Sequence, residues 1–152
     1  MSPAPTWYHQ VISRNIQFLL LKHLESHHQG ELLAAPFDVF LTPQDAYQPD
    51  ILFVSQPNLG ILTEKGAEGA PDLVVEILSP SSAQLDRHSK RTVYAQAGVR
   101  ELWIVDPAVK TIEVYRLSRD AESPSDTFGE GDIFESEFFP GLAIRVREIF
   151  KR

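Results

Sequence analysis

One segment of the chain, Leu73-Val74-Val75-Glu76-Ile77-Leu78, constrains the fold more than any other. Five of its six residues are apolar, and three of these are β-branched. A short and nearly continuous apolar run of this kind is typical of a strand that is buried on both faces of a sheet. Because 152 residues suffice for one domain with its own core, we predict a single domain over residues 1–152.

Glu76 is the anomaly in this strand, because burying an ionised carboxylate is costly unless it is paired or coordinates a cation. One interpretation is a salt bridge to a nearby arginine or lysine, or an outward position at a sheet edge. The other is an acid with a perturbed pKa that acts as a metal ligand or a general base. The two interpretations differ in whether a second ligand lies close by.

Two Pro-Asp pairs offer a second carboxylate, at Asp50 and at Asp72. Asp72 lies four residues from Glu76 on one strand, about 13 Å away at ~3.3 Å per residue, so the two cannot bind one ion. Asp50 begins a different apolar run, and adjacent strands are only about 4.8 Å apart. We therefore predict that Asp72 is a turn residue and that Asp50 is the partner of Glu76. The alternative for Asp50 is a strand-start aspartate whose carboxylate accepts hydrogen bonds from turn amides.

The remaining pattern predicts an α/β domain with a mixed sheet. Apolar residues at helical spacing predict a first helix over residues 8–24, and a capping box at Ser81 and Gln84 opens a second helix that ends at Gly98. Residues 43–48 and 56–71 are interpreted as a turn and a loop. Strands are predicted over residues 37–41, 50–54, 73–78, 101–105 and 111–117, with a last strand or short terminal element at 142–146.

Composition excludes several classes of protein. With no cysteine there is no thiolate nucleophile, and with no apolar stretch near 20 residues there is no membrane span. The first six residues carry no positive charge ahead of an apolar run, so we predict no secretory signal and a cytoplasmic location. A net charge of −7 opposes loose, charge-driven binding to nucleic acid.

Five motifs in order carry a resemblance to a known family: Gln48-Pro49-Asp50-Ile51, residues 71–82, residues 86–90 with Tyr94, residues 97–107, and Phe139-Pro140-Gly141-Leu142. From about Ser2 to Phe150 the chain resembles the Uma-type restriction endonuclease family, within the PD-(D/E)XK nuclease superfamily. The resemblance implies a restriction-endonuclease-like fold, a mixed central β-sheet flanked by helices. It also implies a metal-dependent endonuclease that hydrolyses phosphodiester bonds, with DNA as the expected substrate. The short N-terminal hairpin usual in that family has no counterpart here, which fits a truncated member or a different start.

The resemblance also implies a set of catalytic residues. The superfamily places a lysine two residues after its second acid, where this chain has Leu78. Relatives carry the lysine on the following helix instead, and Lys90 matches that position. Asp50, Glu76 and Lys90 are then the catalytic residues, and Asp50, Glu76 and the carbonyl of Ile77 hold one Mg²⁺ or Mn²⁺. Ligand sets made of oxygen alone favour these ions over zinc.

Further residues are candidates for substrate or supporting contacts. Asp86, Lys90 and Tyr94 are spaced to share one helical face, although a solvated Asp86–Lys90 ion pair and core packing of Tyr94 are the alternatives. His9 matches a histidine of the relatives, and its alternative is a hydrogen-bonded packing role. A basic cluster on and after the second helix is a candidate for phosphate contacts, with a solvated face as the alternative: Arg87, His88, Lys90, Arg91 and Arg100.

The sequence therefore predicts an endonuclease that acts on nucleic acid. Because palindromic duplex sites have two equivalent scissile bonds, we expect a homodimer. The alternative from a different class is a catalytically inactive nuclease-like domain that binds nucleic acid or another protein. A third possibility is that the acids form a purely structural ion pair with Lys90.

Overall fold

The computed structural model of the chain describes residues 6–79 and 83–152, and for residues 83–87 it describes the backbone alone. No helix in these ranges is long and apolar enough to cross a membrane. The described elements follow in the order α1 (Trp7–Ser26), β1 (Gly30–Ala34), β2 (Val39–Phe40), β3 (Ala46–Tyr47), β4 (Ile51–Ser55), a 3₁₀ helix (Gln56–Ile61), β5 (Leu62–Thr63), β6 (Gly66–Glu68), β7 (Leu73–Ile77), α2 (Ala83–Ala97), β8 (Glu101–Asp106), β9 (Thr111–Arg116), β10 (Asp126–Phe128), β11 (Ile133–Phe134), β12 (Ile144–Arg145) and α3 (Val146–Phe150).

A six-stranded sheet in the order β1-β4-β7-β8-β9-β10 forms the centre of the fold. Strands β7 and β8 are parallel, whereas the other neighbouring pairs are antiparallel. Every residue of β7 is buried, as its apolar sequence predicts. The predicted mixed sheet flanked by helices is therefore confirmed.

The two long helices are placed by apolar faces of ordinary helical spacing. Thr6 caps α1 by accepting a hydrogen bond from the His9 N–H at 3.1 Å. The inner face of α1 packs on the core side that holds Val75, and its buried residues are Ile12, Ile16, Leu20 and Leu24. Helix α2 packs on the other side of the sheet, where Tyr94 contacts the cluster containing Val74. Gly98, with φ of +99°, ends α2, as predicted.

A second, four-stranded sheet in the order β3-β2-β6-β5 was not predicted. Residues 56–71, expected to be a loop, form the 3₁₀ helix, β5 and β6, and β3 lies within the expected turn at 43–48. These strands are two or three residues long, too short for a period to be recognised in the sequence. They are ordered by packing, because Val39 and Ala67 bury against Leu52 and Val54 of β4. The expected loop is therefore part of the core.

Candidate active site

The antiparallel pairing of β4 with β7 brings the two predicted acids together. Ile51 pairs with Val75 in this ladder, so Asp50, one residue before β4, lies across from Glu76, one residue after Val75. Directly opposed residues of an antiparallel pair point to the same face of the sheet. The side chains predicted from sequence to be partners are thus neighbours at one end of β7.

Asp50 is held by contacts to both of its carboxylate oxygens. Its Oδ2 accepts a hydrogen bond from the Ile77 N–H at 2.7 Å, which fixes it to the end of β7. Its Oδ1 lies 3.3 Å from Nε2 of His9, in the first turn of α1. The Asp50 side chain is 20% exposed, so it remains reachable from solvent. The start of α1 therefore forms one wall of the site.

Glu76 is held from the opposite side by two residues of α2. Its Oε1 accepts a hydrogen bond from Nζ of Lys90 at 2.9 Å, and its Oε2 accepts one from the hydroxyl of Tyr94 at 2.5 Å. Lys90 and Tyr94 thus share one helical face, as their spacing predicts. The Glu76 side chain is 6% exposed and that of Lys90 is 35% exposed. The Lys90 side chain therefore contacts the buried carboxylate of Glu76 and is itself partly exposed to solvent.

The electrostatic environment of Glu76 opposes its ionisation. Burial raises the pKa of Glu76 above that of an ordinary glutamate, and the Asp50 carboxylate adds to the increase. The ammonium of Lys90 and the hydroxyl of Tyr94 act in the other direction. Burial and the adjacent Glu76 also raise the pKa of Tyr94, so its hydroxyl stays protonated and acts as a donor.

His9 is drawn towards its protonated form by its neighbours. The hydrogen bond to Asp50 raises the pKa of His9 more than burial lowers it, and a hydrogen bond with the backbone of Ile77 contributes in the same direction. When protonated, His9 would partly offset the concentration of negative charge at Asp50. The site thus has an acidic centre with Lys90 on one side and His9 on the other.

The donor set of this site fits a hard divalent cation. The part of the chain that the structure describes contains no group of three or more His, Cys, Asp or Glu side chains placed to hold a metal. The opposed carboxylates of Asp50 and Glu76 are oxygen donors, as is the carbonyl of Ile77, the ligand that the family resemblance implies. Two neighbouring carboxylates that repel each other are an arrangement that a divalent cation stabilises.

The prediction for Arg100 is wrong, and the prediction for Asp72, which lies in a bend just before β7, is incomplete. Asp72 is not simply a turn residue: it is buried, its Oδ2 accepts a hydrogen bond from the Ser55 N–H at 2.6 Å, and its Oδ1 lies 3.1 Å from Arg100. Arg100 is consequently held at the other end of β7, with its guanidinium 4.7 Å from the ring centroid of Phe138. It does not join Lys90 in a basic cluster, because Asp72 and the aromatic ring bind it elsewhere.

The other members of the predicted basic cluster are in different situations. Arg91 reaches the hydroxyl of Tyr115 at 3.4 Å and Nδ1 of His88 at 3.2 Å. The contact with Tyr115 is partly buried against the sheet, whereas the contact with His88 is exposed. The side chains of Asp86 and Arg87 lie outside the described residues, so their predicted roles stay predictions.

One buried acid, Glu101 at the start of β8, was overlooked by the sequence reasoning. It accepts hydrogen bonds from Nε1 of Trp103 at 2.7 Å and from the hydroxyl of Ser136 at 2.8 Å. Burial raises the pKa of Glu101. The signal was present in the sequence, because Glu101 begins an apolar strand much as Glu76 interrupts one.

Comparison with known proteins agrees with this architecture. Residues 1–147 match the model of the Uma2 family, described as "Putative restriction endonuclease". A solved structure from Anabaena variabilis, described as "a putative nuclease belonging to DUF820", is similar with a TM-score of 0.80 and 19% identity. The similarity covers 99% of this chain and 84% of that chain, and at this identity it shows a shared fold. No curated protein matches the chain.

Proposed function

The chain belongs to the Uma2 restriction endonuclease family, and from this membership and the geometry of the site we propose that it is a metal-dependent endonuclease. Its proposed reaction is hydrolysis of phosphodiester bonds in nucleic acid, with DNA as the expected substrate. The observation that carries the proposal is the opposition of Asp50 and Glu76 across the β4–β7 ladder, with the ammonium of Lys90 at 2.9 Å from Glu76.

Each residue has a role that follows from its charge and position. Asp50, Glu76 and the carbonyl of Ile77 would hold one Mg²⁺ or Mn²⁺. Such an ion, when bound, polarises a phosphate oxygen and lowers the pKa of a coordinated water. Lys90 supplies a positive charge for the negative charge that develops on the phosphate oxygens. Tyr94 is a positioning residue, because it holds Glu76 and is itself buried.

The exposure of the site supports this division of roles. Lys90, Asp50 and His9 are partly exposed, so an incoming phosphate can reach them. Glu76 lies beneath them. The net negative charge of the chain disfavours phosphate binding. The positive charge of Lys90 offsets this effect locally, at the place where the phosphate would bind. For a duplex substrate with two equivalent scissile bonds, we infer that two copies act together.

A cleavage assay on an end-labelled DNA duplex with Mg²⁺ or Mn²⁺ tests the proposal. We expect cleavage by the native chain, its abolition by EDTA, and a loss of at least about 10³-fold in Asp50→Asn. Cleavage that survives in Asp50→Asn would exclude this residue as a metal ligand. Parallel assays on RNA and on single-stranded DNA identify the substrate class.

Thermal unfolding with added Mn²⁺ tests the metal site independently of turnover. A ligand that binds only the folded state raises the melting temperature. We expect the increase for the native chain and not for Asp50→Asn. A shift without cleavage of any nucleic acid would support the alternative, an inactive nuclease-like module. No shift and no cleavage would leave Lys90 and Glu76 as a structural ion pair, an arrangement favoured by the fact that both Glu76 oxygens already accept hydrogen bonds.

A further inference from the structure

The outer face of α1 carries an apolar stripe that no described element covers. Phe18 is 64% exposed and Leu21 is 45% exposed, whereas the opposite face of the helix is buried. At 100° per residue these two positions lie about 60° apart on the helix circumference. Trp7, which is 65% exposed, lies in line with them at the start of α1. Large apolar side chains that cluster on one exposed face mark an interaction surface.

Two opposite charges flank the stripe at equal distances. Arg14 precedes Phe18 by four residues, and Glu25 follows Leu21 by four residues. All four positions fall within the same sector of about 60°. Both charged residues are exposed, and within residues 6–79 and 83–152 neither forms an ion pair. From its N-terminal end, the face therefore presents a positive residue, two apolar residues and a negative residue, in the order Arg14, Phe18, Leu21 and Glu25.

We propose that this face binds the same face of a second copy of the chain, with the two α1 helices antiparallel. A two-fold axis between positions 19 and 20 places Phe18 against Leu21 of the partner. The same register places Arg14 against Glu25 of the partner, and each contact occurs twice. An isologous interface must be complementary to itself under a two-fold rotation, and the order of these four residues meets that condition. A partner of other chemistry would not require this symmetry.

The expected dimer is reversible. One helix pair buries less than the ~800 Å² per partner of a standard stable interface, so we expect dissociation in the micromolar range. This surface would serve the homodimer inferred for duplex cleavage, yet it does not depend on that activity. Measurements of association do not depend on cleavage. A chain that does not dimerise would leave the nuclease proposal intact, and a chain that does not cleave nucleic acid would leave the dimer proposal intact.

Sedimentation velocity over a range of concentrations tests the apolar part of the interface. We expect a monomer–dimer equilibrium for the native chain and a loss of dimer of at least about tenfold in Phe18→Asp. The matched control is Val109→Asp, since Val109 is equally exposed at 64% but lies between β8 and β9. A monomeric native chain, or equal dimerisation of the Phe18→Asp and native proteins, would overturn the proposal.

Charge reversal tests the register. Arg14→Glu alone gives two Glu–Glu contacts and Glu25→Arg alone gives two Arg–Arg contacts, so each variant should dimerise more weakly than the native chain. An equimolar mixture of the two variants restores opposite charges at both contacts, and we expect a heterodimer to form. The double variant should also regain the native dimer. If the mixture associates no better than either variant alone, the antiparallel pairing is wrong.

Discussion

The two ends of strand β7 both hold buried carboxylates, but the carboxylates have different neighbours. One end holds Asp72, which directly precedes β7, and Glu101, which begins β8. Asp72 accepts a hydrogen bond from the backbone N–H of Ser55 and pairs with Arg100. Glu101 accepts from two neutral donors, and its ladder neighbours are Leu73 and Arg116. Neither ladder neighbour of Glu101 is acidic.

At the other end, the ladder places one carboxylate across from another. Asp50 raises the pKa of Glu76, and the ammonium that offsets this effect belongs to a side chain that also reaches the surface. Burial of an acid therefore does not by itself identify a functional site, because both ends of β7 show it. A second carboxylate raises the pKa at both ends, Asp50 for Glu76 and Glu137 for Glu101. The distinguishing feature is that Asp50 lies directly across the β4–β7 ladder from Glu76, in a pair that a divalent cation would stabilise.

The largest effect should come from neutralising one acid at each end. In Glu76→Gln we expect DNA cleavage to fall by at least about 10³-fold, because a metal-binding charge is lost. In Glu101→Gln, the matched buried acid, we expect cleavage within about twofold of the native rate. Circular dichroism of both variants verifies folding. Equal losses of cleavage in the two variants would remove the distinction between the ends.

Removing the cation at each end should give the next largest effect. In Lys90→Met we expect cleavage to fall by about 10²-fold, because the charge facing the phosphate is lost. We also expect the pKa of Glu76 to rise further, since the Lys90 ammonium lowers it. Arg100→Met should leave cleavage unchanged and cost about 1–3 kcal/mol of stability, because the buried carboxylate of Asp72 loses its cationic partner. Cleavage assays and denaturant titrations of both variants check the changes in cleavage and stability, and the pH dependence of the Lys90→Met stability reports the pKa of Glu76.

The sequence predicts the site better than it predicts the sheet beside it. Asp50 and Glu76 could be paired because strand spacing excludes Asp72 as the partner. Lys90, by contrast, was assigned through family resemblance, since a helical Asp-Lys spacing also occurs on ordinary solvated faces. Periodicity alone does not specify that the inner face of α2 reaches over Glu76.

The failures have a common physical cause. The segment at 56–71 has no strand pattern long enough to recognise, and its order comes from burial of Ala67 against β4. Arg100 follows the basic residues of α2 in sequence. Its binding to Asp72 depends on the two residues meeting through the β7–β8 pairing. Contacts between distant segments fix both features, and one sequence read locally does not reveal them.

A smaller effect is expected when the hydroxyl that holds Glu76 is removed. In Tyr94→Phe we expect cleavage to fall by about tenfold and stability to fall by about 1–2 kcal/mol, because a buried carboxylate loses a donor. Tyr115→Phe is the matched control, since Tyr115 is buried in the same apolar cluster and its hydroxyl donates to Glu113 outside the site. A Tyr94→Phe protein with native cleavage and lower stability would limit Tyr94 to a structural role.

The smallest expected effect is the pH dependence of stability that comes from burying the Glu101 carboxylate. Because the folded pKa of Glu101 is raised, the folded state holds a proton that the unfolded state releases, so stability decreases as pH rises from about 4.5 through the folded pKa. Glu101→Gln lacks this titration. Its stability relative to the native chain should therefore increase as pH rises from about 4.5 through the folded pKa, by about 1.4 kcal/mol for each unit of pKa shift, and then level off. Urea unfolding across this range measures the difference, with the exposed Glu135→Gln as control. If the difference in unfolding free energy between Glu101→Gln and the native chain does not change with pH, the hydrogen-bond donors of Glu101 fully offset its burial. The two ends of β7 would then differ more than the directions of their pKa shifts indicate.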